Sequence, residues 1–494
     1  MNILLITSDQ QHWTTLGKLN PKIKTPNLDR LADRGTLFTR AYCPNPTCTP
    51  TRASIITGMP VSQHGAYSLG TKLMEDVPTI GQTLQKNGFD CALIGKAHFQ
   101  QLISTEEYSS LESYPLLRDL EFWDKFDKDF YGFNHVELAR NHADEAHVGQ
   151  HYARWMEDKG LKDWQKHFVN RWQNFEFGDY KDNKPQEHSW TLPDEFHYNK
   201  WIAERSIARM EECKEAGKNF FIWSSFFDPH PPYLIPEPWA SMYNQEDMDV
   251  PEVTPGEHDK NPIHFQMTQE EKPDFSGYQE PSGNATHGFG SHLFDKKKMA
   301  KDIAIYYGMV SAMDHYIGNI LDKLDELGLA EETIIVFTTD HGHFTGQHGL
   351  TAKGAFHYED LVKVPFIVSC PGTVPSGKRN DALQSLIDLS PTFLEFVGIK
   401  KPGIMTGISQ AKVWKGEEPI ARDHVVVENR HQPTKIHVKT YINDRYKLTT
   451  YFNQSYGELF DLQEDPGEIN NLWNEPESQN LKAELIHKLL FAEM

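Results

Sequence analysis

The chain is short of three things, and each shortage narrows its reading. It has five cysteines in 494 residues, Cys43, Cys48, Cys91, Cys213 and Cys370, an odd and widely spaced set. Such a set excludes a disulfide framework as the basis of the fold. Cys43 and Cys48 are near enough in sequence for half a zinc site, but no second close pair follows. Basic charge is scarce as well: 49 Lys and Arg stand against 70 Asp and Glu, a net charge of −21. That balance argues against a nucleic-acid partner, and any anion site must concentrate positive charge locally. Long apolar runs are missing, so no membrane-spanning helix is expected. Met1-Asn2-Ile3-Leu4 is preceded by no basic segment and followed by no small-residue cleavage site. A cytoplasmic location is therefore the expectation, or a periplasmic or secreted one if the numbering starts after a removed signal.

What is present points to an α/β fold. Short apolar runs at Ile3–Thr7, Cys91–Gly95, Phe220–Ser225, Ile334–Thr339 and Pro365–Ser369 read as buried strands. Helical stretches such as Asn27–Arg34 and Ile80–Asn87 lie between them, as does a long one over Lys297–Leu327 that Gly328 ends. This alternation predicts a mostly parallel sheet covered by helices on both faces. After about Gly407 the pattern changes to shorter strands, His424–Glu428, Tyr446–Thr450 and Tyr456–Asp461, and a final helix over Ser478–Met494. That predicts a smaller α+β subdomain with an antiparallel sheet over 407–494, following a catalytic domain over 1–406.

Two stretches stand apart. Phe99–Trp201 lacks clean strand alternation and holds six of the eleven tryptophans, Trp123, Trp155, Trp164, Trp172, Trp190 and Trp201. They either pack a small core of their own or stand on a rim and stack on sugar rings. His135, His142, His147 and His151 in the same stretch read as a polar cleft, or as a second metal site. Gln245–Leu293 is rich in Pro, Gly and acidic residues and reads as an irregular loop.

Chemistry gathers just past the strand ends, where α/β sheets bind their ligands. Asp9-Gln10, Lys96-Ala97-His98, Asp228-Pro229-His230 and Asp340-His341-Gly342 each follow a predicted strand. Asp9, Asp340 and His341 are suited to a divalent cation. Cys48-Thr49-Pro50-Thr51-Arg52 opens a short predicted helix with Pro50 in its first turn and Gly58 as its stop. Free N–H groups at such a start attract anions, and Arg52 adds a fixed charge. The arginine comes too early for the loop of tyrosine phosphatases.

The run Cys48–Arg52 with Ile56-Thr57-Gly58 resembles the sulfatase signature. Asn2–Gln10, Thr25–Ala32, Gly95–His98, Asp228–Tyr233, Asp340–Lys353 and Glu458–Leu462 with Asp465-Pro466 extend the resemblance along most of the chain. The chain is thus similar to the sulfatase branch of the alkaline-phosphatase-like superfamily. The resemblance implies a large mixed sheet sandwiched by helices and a sulfuric ester hydrolase. It implies that a formylglycine-generating enzyme oxidises Cys48 to formylglycine, whose hydrate attacks sulfur. It assigns Arg52 and Lys96 to hold that hydrate, and His98 to receive its proton. Lys353 and His230 contact the sulfate, with His230 protonating the leaving oxygen. Asp9, Gln10, Asp340 and His341, with the converted Cys48, ligate one divalent cation.

Two positions depart from the commonest pattern: Gln10 stands where many sulfatases have aspartate, and His341 where many have asparagine. Calcium is the expected ion, with manganese or magnesium as alternatives; the imidazole favours manganese. Relatives that cleave phosphonate monoesters or phosphodiesters share Gln and His here, whereas Lys96 with His98 fits the sulfatase version. The expected substrate is a sulfated glycan, for example an algal galactan such as carrageenan. Aryl or choline sulfate, phosphonate or phosphodiester hydrolysis, and non-catalytic glycan binding are the alternatives.

Overall fold

In a computed structural model the chain is described over residues 1–101, 104, 106, 109–140, 148–168, 188–278, 295–430 and 435–492. Ile3, Leu4, Leu5 and Ile6 are all fully buried, as a central strand requires. The strand they form, Asn2–Ser8, lies between Thr333–Thr339 and Phe220–Ser225, parallel to both. Asp90–Gly95 and then His135–Leu138 continue the sheet in parallel on one side. On the other side Lys363–Ser369 runs antiparallel to both Thr333–Thr339 and Thr36–Tyr42. Nine strands thus form a mixed sheet. Among the described residues the sheet is mostly parallel, as expected, with Lys363–Ser369 its antiparallel strand.

Alternate residues of each central strand supply the cores of the two faces, as the two-residue period dictates. Ile3, Leu5, Cys91, Leu93, Ile334 and Val336 face one core. Leu4, Ile6, Ala92, Ile94, Ile335 and Phe337 face the other. The helix Lys296–Glu326 covers the second face with Met313, Ile317, Ile320, Leu321 and Leu324. Gly328, at φ 66°, provides the left-handed turn beyond it.

Among the described residues the tryptophan-rich stretch is no separate unit. It adds His135–Leu138 to the main sheet and packs the helix Gln150–Asp158 against the same core. Trp123, Trp164, Trp190 and Trp201 are 0–4% exposed, so they are core residues rather than stacking platforms. Trp155 is partly buried beneath Lys159, whose Nζ lies 4.6 Å from its ring. His151 accepts a hydrogen bond from Leu138 N, and His135 contacts Glu137. Among the described residues neither histidine joins a metal cluster; Trp172, His142 and His147 lie outside them. The Gln245–Leu293 loop contains a short helix, Ile263–Met267, that its composition did not announce.

At the C-terminus Val425–Asn429, Val438–Ile442, Tyr446–Tyr451 and Gly457–Asp461 form an antiparallel meander. Leu485 and Leu489 of the helix Gln479–Phe491 pack on its Tyr441, Leu448 and Leu459. Among the described residues no helix is long and apolar enough to cross a membrane.

Candidate active site

Sheet register brings the reactive groups together. Ser8 pairs with Thr339, so the next residues, Asp9 and Asp340, leave adjacent strands at the same edge. Gly95 pairs with Ser225 in the same way, which delivers Lys96 beside them. Cys48 is the first residue of the helix Cys48–Thr57, entered from Thr47 in extended conformation. Gly58, at φ 63°, ends the helix and donates its N–H to Ser54.

Around Cys48 Sγ lie Lys353 Nζ at 3.3 Å, His341 Nε2 at 3.4 Å, Lys96 Nζ at 3.6 Å and Asp9 Oδ1 at 3.7 Å. Lys96 also forms a short ion pair with Asp9. Lys353 Nζ is 3.3 Å from His230 Nε2 and 3.4 Å from His341 Nε2. Gln10 N and His341 N each donate to Asp340 Oδ1 at 3.0 Å. In this thiol state Sγ stands in for the oxygens that an oxidised, hydrated side chain would present.

Arg52 and His98 are both buried. The Arg52 guanidinium leaves its Nη2 without a hydrogen-bond partner. It binds Asp340 Oδ2 at 2.9 Å, Lys96 O at 2.9 Å and Ser225 Oγ at 2.7 Å. It thus braces a carboxylate and the Lys96 backbone. His98 is buried with neither ring nitrogen hydrogen-bonded. Its N–H donates to Glu112 Oε1 at 2.7 Å, and its φ is 56°, a strained value for a non-glycine residue.

Burial dominates the electrostatics, and the charges then modulate it. It raises the Cys48 thiol pKa, with Asp9 adding to the rise and Lys353 and Lys96 opposing it. It also raises Asp9, helped by Asp340 and opposed by Lys96, Arg52 and Lys353. Burial would raise Asp340 too, but His341, Arg52 and Lys96 hold it well below the usual carboxylate range. Burial lowers His341 to about 3 despite Asp340, which leaves a neutral imidazole able to ligate a metal. His98 is held neutral by burial, with the charges of Arg140 and Lys96 next.

The donor set fits a divalent cation. Ligand atoms of Asp9, Cys48, Asp340 and His341 all lie within 4.8 Å of one another, and all four residues are buried. Gln10 Oε1 is buried without a hydrogen-bond partner, an oxygen left for another use. Lys96, Lys353 and Arg52 surround the two carboxylates, so positive charge is concentrated here in an acidic chain.

Sequence reasoning missed the supporting residues. Ser225 holds Arg52, Glu112 holds the backbone of His98, and His343 contacts Gln10. Ser225 ends a recognised strand and His343 lies inside the run Asp340–Lys353, yet the partners of both are far off in sequence, so no local spacing announces the contacts.

A mixed α/β sheet with carboxylates, lysines and imidazoles converging at its strand ends defines an alkaline-phosphatase-like hydrolase. The sulfatase family model matches residues 1–399, and the model for the N-sulphoglucosamine sulphohydrolase C-terminal region matches residues 346–493. The chain belongs to the sulfatase family. It is 29% identical to an arylsulfatase of Clostridium perfringens, covering 100% of this chain and 94% of the relative. It is 26% identical to an N-acetylglucosamine-6-O-sulfatase of Bacteroides thetaiotaomicron, over 94% of this chain and 81% of the relative. A solved phosphonate monoester hydrolase from Silicibacter pomeroyi has the same fold, with a TM-score of 0.79 at 24% identity, covering 100% of this chain and 96% of the other.

Proposed function

We propose that this sulfatase removes sulfate from a sulfated carbohydrate, with Cys48 oxidised to formylglycine and one divalent cation bound beside it. The observation that carries the reading is the setting of Cys48 Sγ, within 3.3–3.7 Å of Lys353, His341, Lys96 and Asp9. A merely structural buried thiol would be surrounded by hydrocarbon. The carbohydrate part rests on the similarity to the N-acetylglucosamine-6-O-sulfatase. Since four of the tryptophans are core residues, they lend no support to a galactan such as carrageenan, which stays as one candidate substrate.

Formylglycine supplies a hydrated aldehyde whose hydroxyl can attack sulfur and whose second hydroxyl allows sulfate release. Asp9, Gln10, Asp340 and His341 would hold the cation, which supplies Lewis-acid polarisation of a sulfate oxygen. Oxygen-rich ligands favour calcium, and the imidazole makes manganese the main alternative.

The chain's own side chains do the rest. Lys353 and Lys96 offset the charge of the sulfate in a site shut off from water. His230, touching Lys353, protonates the leaving oxygen. His98, neutral and with neither ring nitrogen hydrogen-bonded, accepts the proton of the second hydroxyl. Arg52, which keeps Asp340 ionised and placed, holds the hydrate together with Lys96. Maturation requires a formylglycine-generating enzyme as a transient partner.

The test begins with protein co-produced with such an enzyme. Mass spectrometry of the Cys48 peptide should show a loss of ~18 Da, the signature of thiol-to-aldehyde conversion. Converted protein is then assayed on sulfated glucosamine, sulfated galactan oligosaccharides, nitrophenyl sulfate and choline sulfate. Turnover confined to the aryl or choline ester would overturn the carbohydrate reading, and no turnover of any ester by converted protein would favour a non-catalytic binder. A second reading, phosphonate monoester or phosphodiester hydrolysis, is favoured by Gln10 and His341; phenyl phosphonate turned over faster than nitrophenyl sulfate would establish it.

A further inference from the structure

Gln10 is the departure from the common sulfatase ligand set that most needs a physical explanation. An aspartate ligand can present either oxygen to a cation. A glutamine can present only one of its two terminal atoms, because the other carries hydrogens that a cation repels. Something must therefore fix which way the amide points.

In this protein the amide nitrogen is engaged. Gln10 Nε2 lies 2.7 Å from His343 Nδ1, and His343 Nε2 lies 2.7 Å from the Tyr233 hydroxyl. A neutral imidazole has one N–H and one lone pair. If Nδ1 accepts from the amide, Nε2 carries the hydrogen and donates to the Tyr233 oxygen. The three groups then form one directed chain, and Gln10 Oε1 is left over. That oxygen is buried without a partner.

The imidazole is itself held. Tyr306 stacks on it with ring centres 5.0 Å apart and an interplanar angle of 13°. The Tyr306 hydroxyl donates to Gln10 O at 2.8 Å and accepts from His12 N at 2.8 Å. Gln10 has φ 59°, so its backbone is kept in a conformation that non-glycine residues rarely adopt. The backbone, ring and amide of this corner are thus fixed together by contacts between distant parts of the chain.

We propose that His343, oriented by Tyr233 and Tyr306, is a positioning residue that locks the Gln10 amide with its oxygen toward the cation. The proposal rests on the metal site described above and deepens it. His343 touches no substrate atom; it acts through Gln10, as outer-shell partners act through ligands. It also bears on how a neutral amide could serve where a carboxylate would bring a formal charge. The amide brings less charge, and preorganisation offsets part of that loss.

The test measures metal binding rather than turnover. Metal-stripped wild type, His343→Ala, His343→Asn and Tyr233→Phe are titrated with Mn²⁺ and with Ca²⁺ by calorimetry, and unfolding midpoints are recorded without metal. His343→Ala should weaken binding by about 10- to 100-fold. His343→Asn, whose side-chain oxygen can accept from Gln10 Nε2, should recover much of it. Tyr233→Phe should show a smaller loss in the same direction. His343→Ala with a metal-free midpoint and metal affinity equal to wild type would overturn the proposal. If His343→Ala does not fold, Tyr233→Phe decides alone, and unchanged affinity there overturns it. Wild type that binds neither ion would instead refute the metal site on which the proposal stands.

Discussion

Arg52 and Asp340 form an ion pair sealed from water, with Nε 2.9 Å from Oδ2 and side chains 0% and 1% exposed. The pair joins the helix that begins at Cys48 to the strand end that carries His341. Removing one member of such a pair leaves a buried charge uncompensated, which typically costs about 3–5 kcal/mol. Arg52→Ala should therefore lower the urea midpoint markedly. Arg52→Lys should recover only part, because one ammonium cannot reproduce the planar fork that meets Asp340, Lys96 O and Ser225 Oγ. A midpoint unchanged in Arg52→Ala would refute this account of the pair.

Lys353 offers a contrast. Its Nζ points at Cys48 Sγ, His230 and His341, and no carboxylate among the described residues is paired with it. Lys353→Ala should lower kcat on the preferred sulfate ester by roughly 10²–10³, the cost of one preorganised donor. Its unfolding midpoint should stay near that of wild type. Lys353→Arg should not restore the rate, since a planar guanidinium does not fit a site built for a point charge.

His348 makes a stability prediction away from the chemistry. Its ring stacks on Tyr358 at 3.6 Å, with Nδ1 3.3 Å from Glu257 Oε1 and Nε2 3.4 Å from Asp360 Oδ2. Burial opposes its charge, but the bonds to Asp360 and Glu257 prevail and its pKa rises to about 9. Below the ordinary value of 6.5 both folded and unfolded chains hold this proton, and the full contribution is present. Between 6.5 and about 9 only the folded chain holds it, so stability falls as pH rises. The contribution is a few kcal/mol at most, at about 1.4 kcal/mol per pKa unit. Urea unfolding of wild type and His348→Gln at pH 6 and pH 9.5 checks this. The gap between them should be wide at the lower pH and narrow at the higher one, and an equal gap at both would contradict it.

The C-terminal sheet reaches into the site from outside. Asn429 Nδ2 donates to Gly354 O at 3.2 Å, one residue from Lys353. Next to it Glu428 O accepts from Asn45 Nδ2 at 2.5 Å, and Glu428 N donates to Pro44 O at 2.8 Å. One strand end thus steadies both the loop before Cys48 and the loop after Lys353. Asn429→Ala should cost about 1 kcal/mol of stability yet lower kcat by ~10-fold, because small displacements of positioned groups are expensive in rate. Equal losses in kcat and in the population folded at assay temperature would show that the residue serves stability alone.

Much of this was legible in the sequence wherever physics is local. Ile3–Ile6 could only be a buried strand, and the residues just past each such strand carried the chemistry. The strand Thr36–Tyr42 was missed because Thr39 and Arg40 interrupt its apolar run and are only partly buried. Val438–Ile442 was missed because Lys439 breaks its pattern at a position that faces solvent in part. The tryptophans were ambiguous for a different reason: composition reveals large rings but not whether other chain covers them. His343 was invisible because its role lies in a contact 333 positions away. The brace between Arg52 and Asp340 was invisible for the same reason, since the two lie 288 positions apart.

The bond between Asn45 and Glu428 spans 383 positions. A chain being synthesised therefore displays Cys48 long before the strand that steadies its loop has left the ribosome. During that interval the segment lacks its final clamp, whereas in the finished fold the thiol is only 1% exposed. The loop before Cys48 is therefore closed only when Glu428, near the other end of the chain, has joined the fold.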